Sequence, residues 1–213
     1  MNNVYGFDLD GTLVDSMPYY SKGILKLLDD RGITYGPELI EILTPLGYTK
    51  SAEYYIEQMN IQGTVDGLVK EMENNLFPIY ATEIRLKPSV KEYLEHLKAG
   101  GAKLFVLTAS PHPATDPCLK NNGVFDLFDH VWSVEDFKMS KSSPDLFLRV
   151  AEVLGVKVEE ITYYDDNLTA ILNSTKAGYD TVGVYDNHKP ELWEEIKKTG
   201  KHYINSFEDA FQF

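Results

Sequence analysis

Only one cysteine, Cys118, occurs in the 213 residues of this chain. No intrachain disulfide can frame the fold, and a reducing compartment is the natural setting. Positive charge is also scarce: 20 Lys and Arg stand against 33 Asp and Glu, for a formal net charge of -13. Nucleic-acid backbones are bound by clustered Lys and Arg, so no nucleic-acid partner is expected. Small phosphorylated molecules stay open as partners, because a local lysine and a metal ion can outweigh the global field. Long apolar runs are missing as well. Stretches such as Leu104-Phe105-Val106-Leu107 are far too short to cross a membrane. No basic segment followed by an apolar stretch marks a secretory signal. The 5 histidines are scattered without metal-ligand spacing to Cys118, which disfavours zinc. A cytoplasmic protein without a membrane partner is expected, and since nothing demands an oligomer, a monomer.

What is present is ordinary for a globular protein, with 43% hydrophobic and 25% charged residues. The length suits one α/β domain with a smaller insert. From Met17-Pro18 to about residue 85 the patterns are helical, near 37–44, 50–60 and 65–77 among others, with no convincing β-run. The remainder alternates apolar strands (102–108, 129–133, 161–165, 181–185, and a weak 202–204) with helices (88–99, 114–122, 144–154, 168–177, 190–199). Pro88 and Pro144 fall at favoured first-turn positions, and Gly100, Gly123, Gly155 and Gly178 fall where helices stop. Strands that are apolar throughout fit a parallel sheet covered on both faces. The fold class is therefore α/β: a Rossmann-like parallel core, residues 1–15 and 86–213, carrying an inserted all-helical domain, residues 16–85.

The chemistry concentrates at strand ends. Val4, Tyr5 and Phe7 form a short β-prone run that meets Asp8-Leu9-Asp10-Gly11-Thr12-Leu13. Side chains at i and i+2 of a strand share a face, which brings Asp8 and Asp10 together where Gly11 lets the chain turn. Two close carboxylates repel unless one is protonated or a cation intervenes. Thr108 ends the Leu104–Leu107 strand, Asp165-Asp166-Asn167 ends the 161–165 strand, and Lys141 precedes Pro144-Asp145-Leu146-Phe147. Ligands gather beyond the carboxyl ends of parallel strands.

These four segments, in this order, resemble the motifs of the haloacid dehalogenase superfamily: D-x-D-x-[TV], a strand ending in a hydroxyl, K-P-x-P-D-x-F, and a strand ending in acidic residues. The resemblance implies a helical cap selecting the substrate and a magnesium-dependent phosphatase of a small phosphorylated metabolite, such as a sugar phosphate. It implies Asp8 as the nucleophile that forms an aspartyl-phosphate, and Asp10 as general acid and base. Thr108, the Ala109 amide and Lys141 would bind the phosphoryl group, with Lys138 as a rival lysine. Mg2+ would be held by the Asp8 side chain, the Asp10 carbonyl and Asp166. Asp165 stands where glycine is more common, as an outer or direct ligand, and Ala170 fills a position that is often acidic. Lys50, in a Gly47-Tyr48-Thr49-Lys50 loop, is a candidate specificity contact. The alternatives are a β-phosphoglucomutase-like mutase, which shares the same core residues, a phosphonatase, which Asp10 disfavours, and a non-catalytic binding protein.

Overall fold

The computed structural model describes residues 3–43, 46–188 and 190–212, with the Glu41 side chain set aside. It divides into two compact units, Ser16–Ile84 and the combination of Met1–Asp15 with Arg85–Phe213.

The first unit is helical: α1 (Met17–Asp29), α2 (Pro37–Leu43), α3 (Gly47–Met59) and α4 (Val65–Thr82). Its core gathers Ile24, Leu27 and Leu28 of α1 with Leu43, Tyr55, Leu68 and Met72. The Tyr55 hydroxyl stays satisfied in that core by donating to the Ile24 carbonyl at 2.9 Å. The structure extends the 65–77 pattern to Thr82, straight through Pro78. A proline lacks the N–H that would bond one turn back, but the next turn is re-closed: Thr82 Oγ1 donates to the Pro78 carbonyl at 2.7 Å and the Glu83 amide to Ile79 at 2.8 Å. The stretch 47–50, expected as a loop, is the first turn of α3, with Lys50 exposed on it. Thr44, the end of the 37–44 pattern, lies outside the described residues.

The second unit runs β1 (Val4–Phe7), α5 (Val90–Ala99), β2 (Lys103–Thr108), α6 (His112–Asn121), β3 (His130–Ser133), α7 (Val134–Phe137), α8 (Pro144–Leu154), β4 (Ile161–Asp165), α9 (Leu168–Ala177), β5 (Asp180–Val184), α10 (Trp193–Thr199) and β6 (His202–Ile204). All strand pairs are parallel, in the order β3-β2-β1-β4-β5-β6. The α/β architecture is the one the alternation predicts. Pro111 is the N-cap of α6, and Pro113 and Pro117 lie within it.

The order places β1 between β2 and β4, with Phe7 beside both Val106 and Tyr164. Chain direction around the sheet reverses between β1 and β4, the place where doubly wound sheets form a crevice. Aromatic packing fixes the central strands. Phe7 stacks on Tyr164 at 4.9 Å between ring centroids, and the Phe105 ring lies over Gly6. A Cβ at Gly6 would stand 2.2 Å from that ring, so only glycine admits it.

Candidate active site

β1 stops at Phe7, and the Asp8 amide donates to the Tyr164 carbonyl at 2.9 Å, carrying the pairing one residue further. The chain then closes a tight turn, in which the Leu13 and Val14 amides both donate to the Leu9 carbonyl, at 2.9 and 3.0 Å. Gly11 sits in this turn at φ +85, and a Cβ there would stand 2.6 Å from Asp166 Oδ2. Both the backbone angle and the carboxylate require glycine. The turn is held from a second side by Lys87, whose ammonium donates to the Gly11 carbonyl and, at 3.1 Å, to the Tyr185 carbonyl. Asp186 lies 3.7 Å from the same ammonium.

Across the crevice, β4 delivers Asp165 and Asp166, both buried. The N-cap of α9 is Asn167, whose side chain accepts from the Thr169 and Ala170 amides. The two aspartates are thus spared capping duty. Ala170, at the position that is often acidic, is packed into the core beside Phe147 and Tyr163. Asp8, Asp165 and Asp166 each offer a carboxylate oxygen, and these oxygens lie within 4.8 Å of one another.

Lys141 reaches this cluster, donating to Asp8 Oδ1 and, at 3.0 Å, to Asp165 Oδ2. Its rival Lys138 is exposed, in a left-handed conformation at the end of α7. Tyr163 also donates to Asp165 Oδ2 at 2.9 Å, and the Asn167 amide donates to Oδ1 at 2.8 Å. Thr12 donates to Asp166 Oδ1 at 2.9 Å. Asp10 is only half-buried and accepts from the Ser110 hydroxyl at 2.5 Å. Thr108 is buried at the end of β2, and its hydroxyl accepts from the Ser110 amide at 3.0 Å. The neighbouring Ala109 is exposed.

Thr12, Ser110, Tyr163 and Lys87 escaped the sequence reading, since a hydroxyl or a lysine near a motif carries no periodic signature. The same reading paired Asp8 with Asp10. In the structure, Asp165 and Asp166 of the neighbouring strand join Asp10 among the carboxylates that act on Asp8.

Burial pushes the Asp8 carboxyl well above its usual range; Lys141 pulls it down, and Asp165, Asp166 and Asp10 push it up. Burial alone would lower the Lys141 ammonium, but Asp165 and Asp8 more than reverse this and raise it. The three buried carboxylates lie beside the Lys141 ammonium. An all-oxygen donor set of this kind fits a hard divalent cation such as Mg2+.

At the rim, His112 opens α6 between two carboxylates, Nδ1 on Asp116 and Nε2 on Asp136, each at 2.9 Å. Hydrogen bonds to Asp116 and then Asp136 raise its pKa above 6.5. Because the folded value lies above the unfolded one, this stabilisation is complete below the unfolded value and is lost as pH rises through the folded value. The group is partly exposed, so solvent screens the effect. His112→Gln is expected to lower the melting temperature by about 2 °C near pH 5.5 and by much less near pH 9. A thermal scan at the two pH values checks this, and an equal loss at both would refute it.

Similarity to known proteins converges on one family. A family model described as haloacid dehalogenase-like hydrolase matches residues 6–184. The phosphoglycolate phosphatase of Mannheimia succiniciproducens is 28% identical over 211 residues, covering 90% of this chain and 93% of that protein. The phosphorylated carbohydrates phosphatase of Thermotoga maritima is 22% identical over 176 residues, covering 83% and 82%. The crystal structure of a predicted phosphoglycolate phosphatase from Haemophilus somnus 129pt aligns with a TM-score of 0.80 at 25% identity, over 99% of this chain and 96% of that one.

Proposed function

This chain belongs to the haloacid dehalogenase-like hydrolase family, and from that membership we propose that it hydrolyses a small phosphate monoester with the help of Mg2+. The observation that carries the reading is the buried Asp8–Asp165–Asp166 cluster, with the Lys141 ammonium set against it at the carboxyl ends of β1 and β4. Phosphatase relatives support the same reaction class.

Asp8 attacks phosphorus as the bond to the leaving oxygen breaks, forming an aspartyl-phosphate. Asp10 protonates the departing alkoxide, then takes a proton from the water that attacks the phosphoenzyme and releases phosphate. The Ser110 hydroxyl bonded to Asp10 holds that carboxyl in orientation. The Thr108 hydroxyl and Ala109 amide receive the phosphoryl oxygens, and Lys141 balances charge as it moves from Asp8 onto phosphate. Asp8, Asp166 and the Asp10 carbonyl would hold Mg2+, which when bound offsets repulsion between the phosphoryl group and the carboxylates. Asp165 belongs outside that set, because three donors already occupy its two oxygens. The helical unit Ser16–Ile84 is assigned to choosing the leaving group, with Lys50 as a candidate contact.

The test is phosphate release from an aryl phosphate, followed by a panel containing phosphoglycolate and several sugar phosphates. Activity is expected with Mg2+, lost in chelator and restored on adding the ion back. Turnover indifferent to chelation would refute the metal role. A rearranged sugar phosphate appearing without free phosphate would establish the mutase instead. The cytoplasm is the proposed setting, in keeping with the lone buried Cys118. Among the described residues no helix is long and apolar enough to cross a membrane.

A further inference from the structure

The turn after β1 carries a clamp that the proposed reaction steps do not use. It is built on the segment where the chain re-enters the second unit. There the Lys87 amide donates to the Leu13 carbonyl at 2.9 Å, and Leu86 bridges Val14 in antiparallel fashion. This backbone pairing fixes where the Lys87 stem starts. Its ammonium donates to the Gly11 carbonyl and, at 3.1 Å, to the Tyr185 carbonyl just past the end of β5. Asp186 Oδ1 stands 3.7 Å away, near enough for charge and too far for a hydrogen bond. The Lys87 side chain is 16% exposed and that of Asp186 2%, so neither is surface decoration.

An ammonium held this way does what the turn cannot do for itself. Gly11 takes the φ of +85 that the turn requires, but glycine is the residue least committed to any one backbone angle. The Gly11 carbonyl belongs to the peptide that joins Gly11 to Thr12. Asp10 precedes that glycine, and Thr12, which donates to Asp166 Oδ1 at 2.9 Å, follows it. Fixing the one carbonyl therefore restrains both neighbours. We propose that Lys87, steadied by the charge of Asp186, is a positioning residue: it pins the turn that presents the Asp10 carbonyl to Mg2+ and the Asp10 carboxyl to the leaving oxygen. The inference rests on the phosphatase reading, and Lys87 acts through Gly11 rather than on substrate or metal. Removing a partner that orients a metal ligand typically weakens metal binding roughly 10- to 100-fold. Misplacing a catalytic group by about 1 Å costs roughly 100-fold in rate.

Lys87→Met keeps most of the stem and removes the ammonium. With an aryl phosphate, kcat is expected to fall roughly 30- to 300-fold while KM stays within about threefold, because Thr108, Ala109 and Lys141 stand on other segments. Calorimetry without substrate reads the same role apart from turnover. Mg2+ is expected to bind Lys87→Met at least about tenfold more weakly than the unaltered chain. Asp186→Asn is expected to move both quantities in the same direction by a smaller factor. Rescue separates a clamp from a packing role. In Lys87→Ala, n-propylammonium is expected to raise kcat at least about tenfold, whereas tetramethylammonium, of equal charge but without an N–H donor, restores none. Circular dichroism establishes that each variant is folded, and should Lys87→Ala fail that check, Lys87→Met carries the test. An unaltered chain that binds Mg2+ but releases no phosphate would sink the phosphatase reading, and the Mg2+ affinities would still decide whether Lys87 holds the turn. Beside an active unaltered chain, three results would each overturn the role of Lys87 and leave that reading standing. They are unchanged kcat and Mg2+ affinity in folded Lys87→Met, a change confined to KM, and equal recovery with tetramethylammonium.

Discussion

Asp8→Asn is expected to lower turnover by about four orders of magnitude or more, while leaving the chain at least as stable in chelator as before. The amide cannot form an acyl phosphate, so the covalent route is closed rather than slowed. Stability runs the other way. Burial and the nearby Asp165, Asp166 and Asp10 disfavour the charged form of Asp8 in the folded chain, with Lys141 as the opposing influence. A neutral amide of the same shape removes that repulsion, and Lys141 keeps Asp165 as its partner. Two measurements decide the matter: steady-state phosphate release, and a thermal scan in chelator. Rapid acid quench with labelled substrate should also trap a hydroxylamine-sensitive adduct in the unaltered chain and none in the variant. A variant within tenfold of normal turnover would end the nucleophile assignment.

The second large effect belongs to Lys141. Its side chain is 13% exposed and bridges Asp8 and Asp165. Lys141→Met leaves those carboxylates buried beside Asp166 without the ammonium that bridges them. Removing one partner of a buried charge network costs about 3 kcal/mol, which corresponds to roughly 6–12 °C in melting temperature for a chain of this size. Turnover should fall by roughly 100- to 1,000-fold, as for the loss of one preorganised group facing developing charge. Mg2+ binds only the folded arrangement, so adding it should raise the variant's melting temperature more than that of the unaltered chain. It should not restore turnover, since the lysine's second task is to meet the phosphoryl group. Equal stability in chelator would show that the ammonium does not neutralise the cluster.

Lys141 also shows where sequence reasoning reached and where it stopped. Its spacing before Pro144 made it the favoured lysine, but Lys138 fits the same neighbourhood in sequence. The difference is set by Lys138 capping a four-residue helix in a left-handed conformation, which leaves it in solvent. The acidic pair at 165–166 has the same character, because only the structure shows that Asn167, and neither aspartate, caps α9.

The amino-acid order by itself determined most elements of the second unit and several of their ends: apolar runs for β2 and β4, Pro144 opening α8, Gly178 closing α9, and an acidic pair at the end of β1. These follow from backbone rules that act within a few residues, so a local window contains them. Only the tertiary structure decided that β4 lies beside β1, which brings Asp165 and Asp166 to Asp8 and lets Lys141, 133 residues away, join them. It also decided the charge balance at Asp8 and the roles of Thr12, Ser110 and Tyr163. Strand order and burial arise from packing between distant segments, and the cost of enclosing a charge depends on every neighbour that packing brings near. No window of sequence carries that information.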